Sequence, residues 1–192
     1  MRRGGWGVLV VLSLSGCAGA PVTIAPHGLN PVALGRFELD GRLAVHYRAD
    51  SSMASIHWQH SLASDSLILS SPLGQTLGVL TRDNNGVRLL DSQQQTHSAP
   101  TVAALTEQLL GWRLPMEDLT YWIVGSVVPN QAYQLQAETA RHGMQLTQSG
   151  WVVSYDRWQP VAGISLPVKL TLTGHGVQVR LVISDWHLAG MK

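Results

Sequence analysis

The sequence predicts a mainly β (α+β) fold, an unclosed antiparallel β-barrel of about ten strands with two or three helices over its opening. Three observations carry that expectation. Apolar and polar residues alternate through a long series of short segments bounded by turn residues. Each segment follows closely on its predecessor, as sequential hairpins do and βαβ crossovers do not. The alternation yields to helical spacing over one stretch, residues 100–125.

The first strand starts near Arg36. Phe37, Leu39, Gly41, Leu43, Val45 and Tyr47 point one way and Glu38, Asp40, Arg42, His46 and Arg48 the other, giving one dry and one wet face. Met53 to Gln59, Ser66 to Ser71 and Thr76 to Thr81 follow as strands, and Asp83-Asn84-Asn85-Gly86 is a hairpin signal into Val87 to Leu90. Between Pro100 and Gly125, Val102, Leu105 and Leu109, then Leu119, Trp122 and Ile123, recur at helical spacing. Two short helices fit, with Pro100 and Pro115 in first turns and Gly111 at a helix end. Strands resume over Tyr133 to Glu138, Met144 to Gln148, Trp151 to Tyr155, Leu166 to Leu172 and Val177 to Ile183, the last two joined by Thr173-Gly174-His175-Gly176.

Composition narrows the function. Charged residues are only 13 % of the chain, with 13 basic against 12 acidic, so neither nucleic acid nor an anionic membrane surface is the expected main partner. Hydrophobic residues make up 45 % and there are seven tryptophans, more apolar material than a simple core uses, which points to an apolar cavity. The apolar members of the alternations are its candidate lining: Leu43, Val45, Leu69, Val79, Leu135, Val153, Leu170, Leu181 and Ile183, with Trp122 from the helical cover. Leu73, held between Pro72 and Gly74 in a polar turn, is expected at an exposed loop tip, where it can dip into a lipid interface.

The N-terminus adds a location. Arg2 and Arg3, an apolar run from Trp6 to Leu14, and Ser15-Gly16-Cys17 read as a secretory signal over residues 1–16, too short for the roughly 20 residues a spanning helix needs. Leu14-Ser15-Gly16-Cys17 resembles the lipobox of bacterial lipoproteins, and the resemblance implies lipidation of Cys17 after cleavage before it. Cys17 is the only cysteine, so an acylated Cys17 leaves no disulfide and no thiolate metal site. Residues 17–35, with Pro21, Pro26 and Pro31, read as a lipidated N-terminus and flexible tether, and residues 36–188 as a single domain.

Several strings identify a family by their order and spacing: Gly41-Arg42-Leu43-Ala44, Trp58, Ser71-Pro72-Leu73-Gly74-Gln75-Thr76, Leu109-Leu110-Gly111 with Leu114-Pro115, Trp122-Ile123-Val124-Gly125, Gly150-Trp151, Leu166-Pro167 and Ile183-Ser184-Asp185-Trp186. Over nearly all of residues 36–187 the chain resembles LolB, the outer-membrane lipoprotein receptors. The resemblance implies an unclosed barrel whose helices cover an apolar cavity. It also implies receipt of acylated lipoproteins from the periplasmic carrier LolA and their delivery to the outer membrane, without a nucleotide or other cofactor. It implies delivery by the loop bearing Leu73, and Ala18 after the cysteine implies an outer-membrane address facing the periplasm. A monomer suffices for such a handover. One departure is that His27 to Leu34, with Asn30 and Pro31, is a poor match to the N-terminal helix common in the family.

Two rivals come from other classes. An enzyme is suggested by eight histidines, above all His57-Trp58-Gln59-His60, but residues three apart on a strand face opposite sides and cannot chelate one ion. No nucleophile elbow or phosphate loop is present, and the histidines are expected to be solvated strand or loop residues. The other rival is a lipid-anchored scaffold presenting Trp112, Trp151, Trp158 and Trp186 to a protein partner.

Overall fold

The computed structural model describes residues 34–136 and 143–188. The signal segment, Cys17, nearly all of the tether and the region expected to bear a family helix lie outside the described residues, as do the last two residues of the strand expected over Tyr133 to Glu138.

The chain forms eleven strands and two helices: β1 (Arg36–Tyr47), β2 (Asp50–Ser61), β3 (Asp65–Ser70), β4 (Thr76–Asp83), β5 (Gly86–Asp91), β6 (Thr96–Ala99), α1 (Val102–Leu110), α2 (Met116–Trp122), β7 (Tyr133–Gln136), β8 (Gln145–Gln148), β9 (Trp151–Val161), β10 (Ile164–Gly174) and β11 (Val177–Leu188). All belong to one sheet in the order β6-β5-β4-β3-β2-β1-β11-β10-β9-β8-β7. Two meanders, β1 to β6 and β7 to β11, are thus joined where β1 pairs antiparallel with β11. The edges left over, β6 and β7, are the strands that flank the helices in sequence, so the helical segment runs from one edge of the open sheet to the other.

One face of the sheet carries the core. Phe37 and Leu39 stand across from His60 and Trp58 on β2, and Leu39 across from Trp186 on β11. All of these are buried, together with Leu67, Leu80, Leu146, Val153, Tyr155, Leu170, Leu172 and Leu181. Here we call this side the inner face. Gly41 is required on it: the β1–β11 register shifts between Asp40 and Gly41, and a Cβ at Gly41 would lie 2.5 Å from the Val182 carbonyl oxygen.

The helices begin one step later than the prolines imply. Thr101 caps α1, its Oγ1 accepting from the Ala104 N–H at 3.1 Å, so Pro100 precedes the cap; Pro115 occupies the cap position of α2. Gly111 ends α1 as expected, at φ 76°, with its N–H donating to the Glu107 carbonyl. The unforeseen β6 has no apolar alternation in Thr-His-Ser-Ala. It is set instead by the turn before it, where Asp91 Oδ1 accepts from the Gln93 and Gln95 N–H groups and Asp91 Oδ2 pairs with His97 at 2.8 Å.

Candidate functional site

The inner face is not covered evenly. Over β8 to β11 it is sealed by the helical segment. Trp122 Nε1 donates to Gln148 Oε1 at 3.0 Å, the Val128 N–H donates to the same oxygen, and Gln148 Nε2 returns a bond to the Val128 carbonyl. The buried Tyr155 hydroxyl donates to the Trp122 carbonyl at 2.9 Å, and burial pushes its pKa far up, so it stays a neutral donor. Gly125, at φ 76°, closes this seal, because a side chain there would collide with the Trp158 ring.

At one end of β1 to β5 a polar network forms a floor. Asp65 is 2 % exposed and accepts from Trp58 Nε1 at 2.9 Å, from His60 Nδ1 at 2.7 Å and from the Arg82 guanidinium. Burial alone pushes the Asp65 pKa up, but the hydrogen bonds from His60 and Trp58 and the charges of His60 and Arg82 outweigh it, leaving the carboxyl below its usual range. His60 is therefore a buried, paired residue and not the solvated one expected, whereas His57 faces the other side of β2.

The opposite end of β1 to β5 is open. Leu43, Val45, Tyr47, Leu69 and Leu89 line the inner face there and are only half-buried. Tyr47 Oη donates to the Gly111 carbonyl at 2.9 Å, which brings the end of α1 to this end of β1. Leu109, one turn beyond the buried Leu105, is 40 % exposed at that helix end. Register puts the β3–β4 hairpin at the same end, since Leu43 pairs with Ala54 on β2 and the adjacent Ser55 with Ser70 on β3. In the hairpin the Gly74 N–H donates to the Ser71 carbonyl at 2.9 Å, Gly74 takes φ 83°, and Leu73 is 90 % exposed at the tip beside exposed Pro72. An apolar mouth and an apolar tip thus share one end of the molecule. Arg36, where the N-terminal tether enters, lies at the other.

The ten residues expected to line a cavity are divided by this arrangement. Leu43, Val45 and Leu69 lie in the mouth. Trp122, Val153, Leu170, Leu181 and Ile183 are at most 2 % exposed and form packed wall. Leu135 is exposed on edge strand β7 opposite Leu146. Val79 belongs to the other face: it pairs with Ile68 and Leu90, while its neighbours Gly78 and Leu80 are the buried members of β4. The error is one of register, because Leu77, Val79 and Leu80 offer two alternations and a shift of one residue turns a strand over. Tyr47, Leu89 and Leu109 escaped the sequence reading, although the spacing from Leu105 to Leu109 already signalled the last. Of the four tryptophans a scaffold would present, Trp112, Trp151 and Trp186 are buried and Trp158 is partly buried against the core; Trp58 and Trp122 are likewise spent on the core.

Comparison with known proteins agrees with this architecture. The family model described as "Outer membrane lipoprotein LolB" matches residues 35–186. Outer-membrane lipoprotein LolB of Nitrosomonas europaea is 34 % identical over 94 % of this chain and 91 % of its own length, and that of Pseudomonas paraeruginosa 31 % identical over 90 % of each. A crystal structure of a LolA superfamily protein from Nitrosomonas europaea shares the fold, with a TM-score of 0.50 and 8 % identity over 83 % of this chain and 88 % of that one. The chain therefore belongs to the LolB family, outer-membrane lipoproteins that serve lipoprotein localisation and are not enzymes.

Proposed function

We propose that this protein, as a monomer and without nucleotide or cofactor, accepts acylated lipoproteins from the soluble carrier LolA. It holds their acyl chains at the open mouth and delivers them to the outer membrane. The observation that carries this reading is the meeting of half-buried Leu43, Val45 and Leu69 with the exposed tip Leu73 at one end of the sheet. Each methylene left in water costs about 0.8 kcal/mol, so acyl chains cross an aqueous space only against apolar surface. Half-buried leucines supply that surface without opening the packed wall. Direction needs no energy source if the carrier holds the chains least tightly, this mouth more tightly and the bilayer most tightly, since differential affinity sets the equilibrium.

The anchor allows the mouth to reach the membrane. β1 has twelve residues, a rise of roughly 40 Å at 3.4 Å per residue, between Arg36 and the mouth end. Residues 18–35 can span at most about 60 Å. A lipid on Cys17 therefore leaves enough chain for Leu73 to meet the same bilayer.

The test loads the carrier with a labelled lipoprotein and mixes it with the mature chain carrying Cys17→Ala. Cargo is expected to move onto this protein without ATP. Leu73→Glu is expected to capture cargo equally well and to fail in passing it to outer-membrane vesicles. Cargo that stays on the carrier beside a folded acceptor would overturn the receptor reading in favour of a scaffold. Delivery by Leu73→Glu at the unmutated rate would overturn the role of the tip.

A further inference from the structure

The near balance of 13 basic and 12 acidic residues hides a division along the outer face of the sheet. On β1 the outward positions run Glu38, Asp40, Arg42, Ala44 and His46 from floor to mouth. Glu38 and Asp40 are partnered by His57, and Asp185, across from Asp40 on β11, also lies on the floor side. From Arg42 onward the outward positions of β1, β2 and β11 hold no carboxylate, and Ala44 stands across from both Arg180 on β11 and Met53 on β2. The β1–β2 turn beyond them holds Arg48 and Asp50, whose charges offset each other. Arg42 and Arg180 are exposed diagonal neighbours, whereas the arginines engaged in ion pairs among the described residues are Arg82, Arg88 and Arg113. Exposed apolar side chains share this half. Met53 is 71 % exposed, and Leu77, outward because it precedes inward Gly78, is 44 % exposed. Continuing the β2–β3 register past the Ser55–Ser70 pair brings Met53 level with Pro72, next to the tip Leu73.

We propose that this half of the outer face docks on a phospholipid bilayer bearing anionic headgroups, with Leu73, Met53 and Leu77 at the acyl boundary and Arg42 and Arg180 on the phosphates. The inference rests on the reading of the mouth end as the delivering end, and adds to the tip a cationic surface that holds it at the membrane. The family is one of outer-membrane lipoproteins, so a bilayer is the surface at hand. The spacing fits it. Arg42 shares a row with Ser55 and Ser70, and the three residues from Ser70 to Leu73 span at most about 10 Å, while Arg180 lies one residue pair nearer the mouth. A bilayer's polar region is about 5–7 Å deep on each side of its hydrocarbon. With Leu73 in the acyl chains, both guanidinium groups therefore reach phosphate level on their long apolar stems. The attraction acts within a Debye length of roughly 8–10 Å. Arginines next to the tip and carboxylates farther back are the order of charge that such a surface favours.

The mature chain carrying Cys17→Ala, whose binding is not masked by its own lipid, is sedimented with vesicles of phosphatidylcholine alone or mixed with phosphatidylglycerol. Tighter binding to the mixed vesicles is expected, and it should weaken as salt is raised. Arg42→Gln and Arg180→Gln should each lower that affinity about fivefold. Met53→Ser should lower binding to both kinds of vesicle, and Arg88→Gln, which lies toward the floor, should change neither. Equal affinity for the two kinds of vesicle, or unaltered binding by both Arg42→Gln and Arg180→Gln, would overturn the proposal. Uptake of cargo from the loaded carrier is read on the same variants and should not change. Loss of uptake with vesicle binding intact would assign these arginines to the carrier and overturn the lipid surface. Failure of the unmutated chain to take cargo would strike the receptor reading alone, because vesicle binding is measured without cargo or carrier.

Discussion

The two wings of the inner face use the same alternating strands and end in different states. On β8 to β11 the inward residues Leu146, Val153, Leu170, Leu172, Leu181 and Ile183 are fully buried, and partial burial is confined to residues such as Trp158, Val161 and Ile164 around the β9–β10 turn. On β1 to β5 the seal covers only the floor, and Leu43, Val45, Leu69 and Leu89 toward the other end stay half-buried. The difference lies in what covers them. Trp122 is tied to Gln148 and Tyr155, so α2 belongs to the β8–β11 wing, whereas α1 meets the mouth through a single described side-chain bond, Tyr47 to Gly111. A sheet that must be stable and still present apolar surface can do so by dividing those tasks between its wings.

That division is broken most strongly at Trp122. Trp122→Ala removes a fully buried ring and leaves the Gln148 amide oxygen with one donor fewer, and a loss of about 3–5 kcal/mol is expected from denaturant unfolding. If the loss is below about 1 kcal/mol, the wing is not the packed half of the molecule. A smaller effect, about 3 kcal/mol, is expected for Asp65→Asn at the floor, where buried His60 and partly buried Arg82 lose their counter-charge. The pH dependence has a fixed sign. The folded-state pKa of Asp65 is depressed, so its contribution is complete above the ordinary carboxylate value of 3.8 and is lost as pH falls through the lower folded value. Unfolding midpoints followed downward from pH 5 should therefore fall more steeply in the unmutated protein than in Asp65→Asn, and parallel curves would refute the assignment.

The same contrast explains what the sequence could tell. Long alternations such as Phe37 to Tyr47 and Val177 to Ile183 specify strand and face at once, because a single period of two dictates both, whereas the pairing of β1 with β11 depends on long-range contact. The hairpins Asp83-Asn84-Asn85-Gly86 and Thr173-Gly174-His175-Gly176 add turn chemistry, with Gly86 at φ 121° and Gly176 at φ 75°. The exposed tip Leu73 was legible for the same reason: Pro72 and Gly74 leave a tight turn no core to reach. What stayed hidden depends on long-range contact. An inward leucine has the same alternation whether a helix lies over it, as over Leu170, or open space does, as at Leu43. Nor could Asp65, near a turn and polar by type, announce that His60, Trp58 and Arg82 would converge on it from the two strands flanking its own.

The least disruptive substitutions give the sharpest reading of the mouth. Leu43 and Leu69 are half-buried on separate strands, and each side chain gives up only part of its apolar surface to the core. Leu43→Ser and Leu69→Ser should therefore each cost about 1 kcal/mol of stability, well below a cavity in the sealed wing. Binding of a fluorescent acyl probe should nonetheless fall several-fold in each, because a hydroxymethyl replaces the surface the chain would lie on. Leu170→Ala supplies the opposite case: it should lose about 2–5 kcal/mol of stability and, while folded, leave probe affinity nearly unchanged. Equal losses of probe binding from the mouth and from the wall would mean that acyl chains enter the packed interior, and the two wings would then have to open together when cargo arrives.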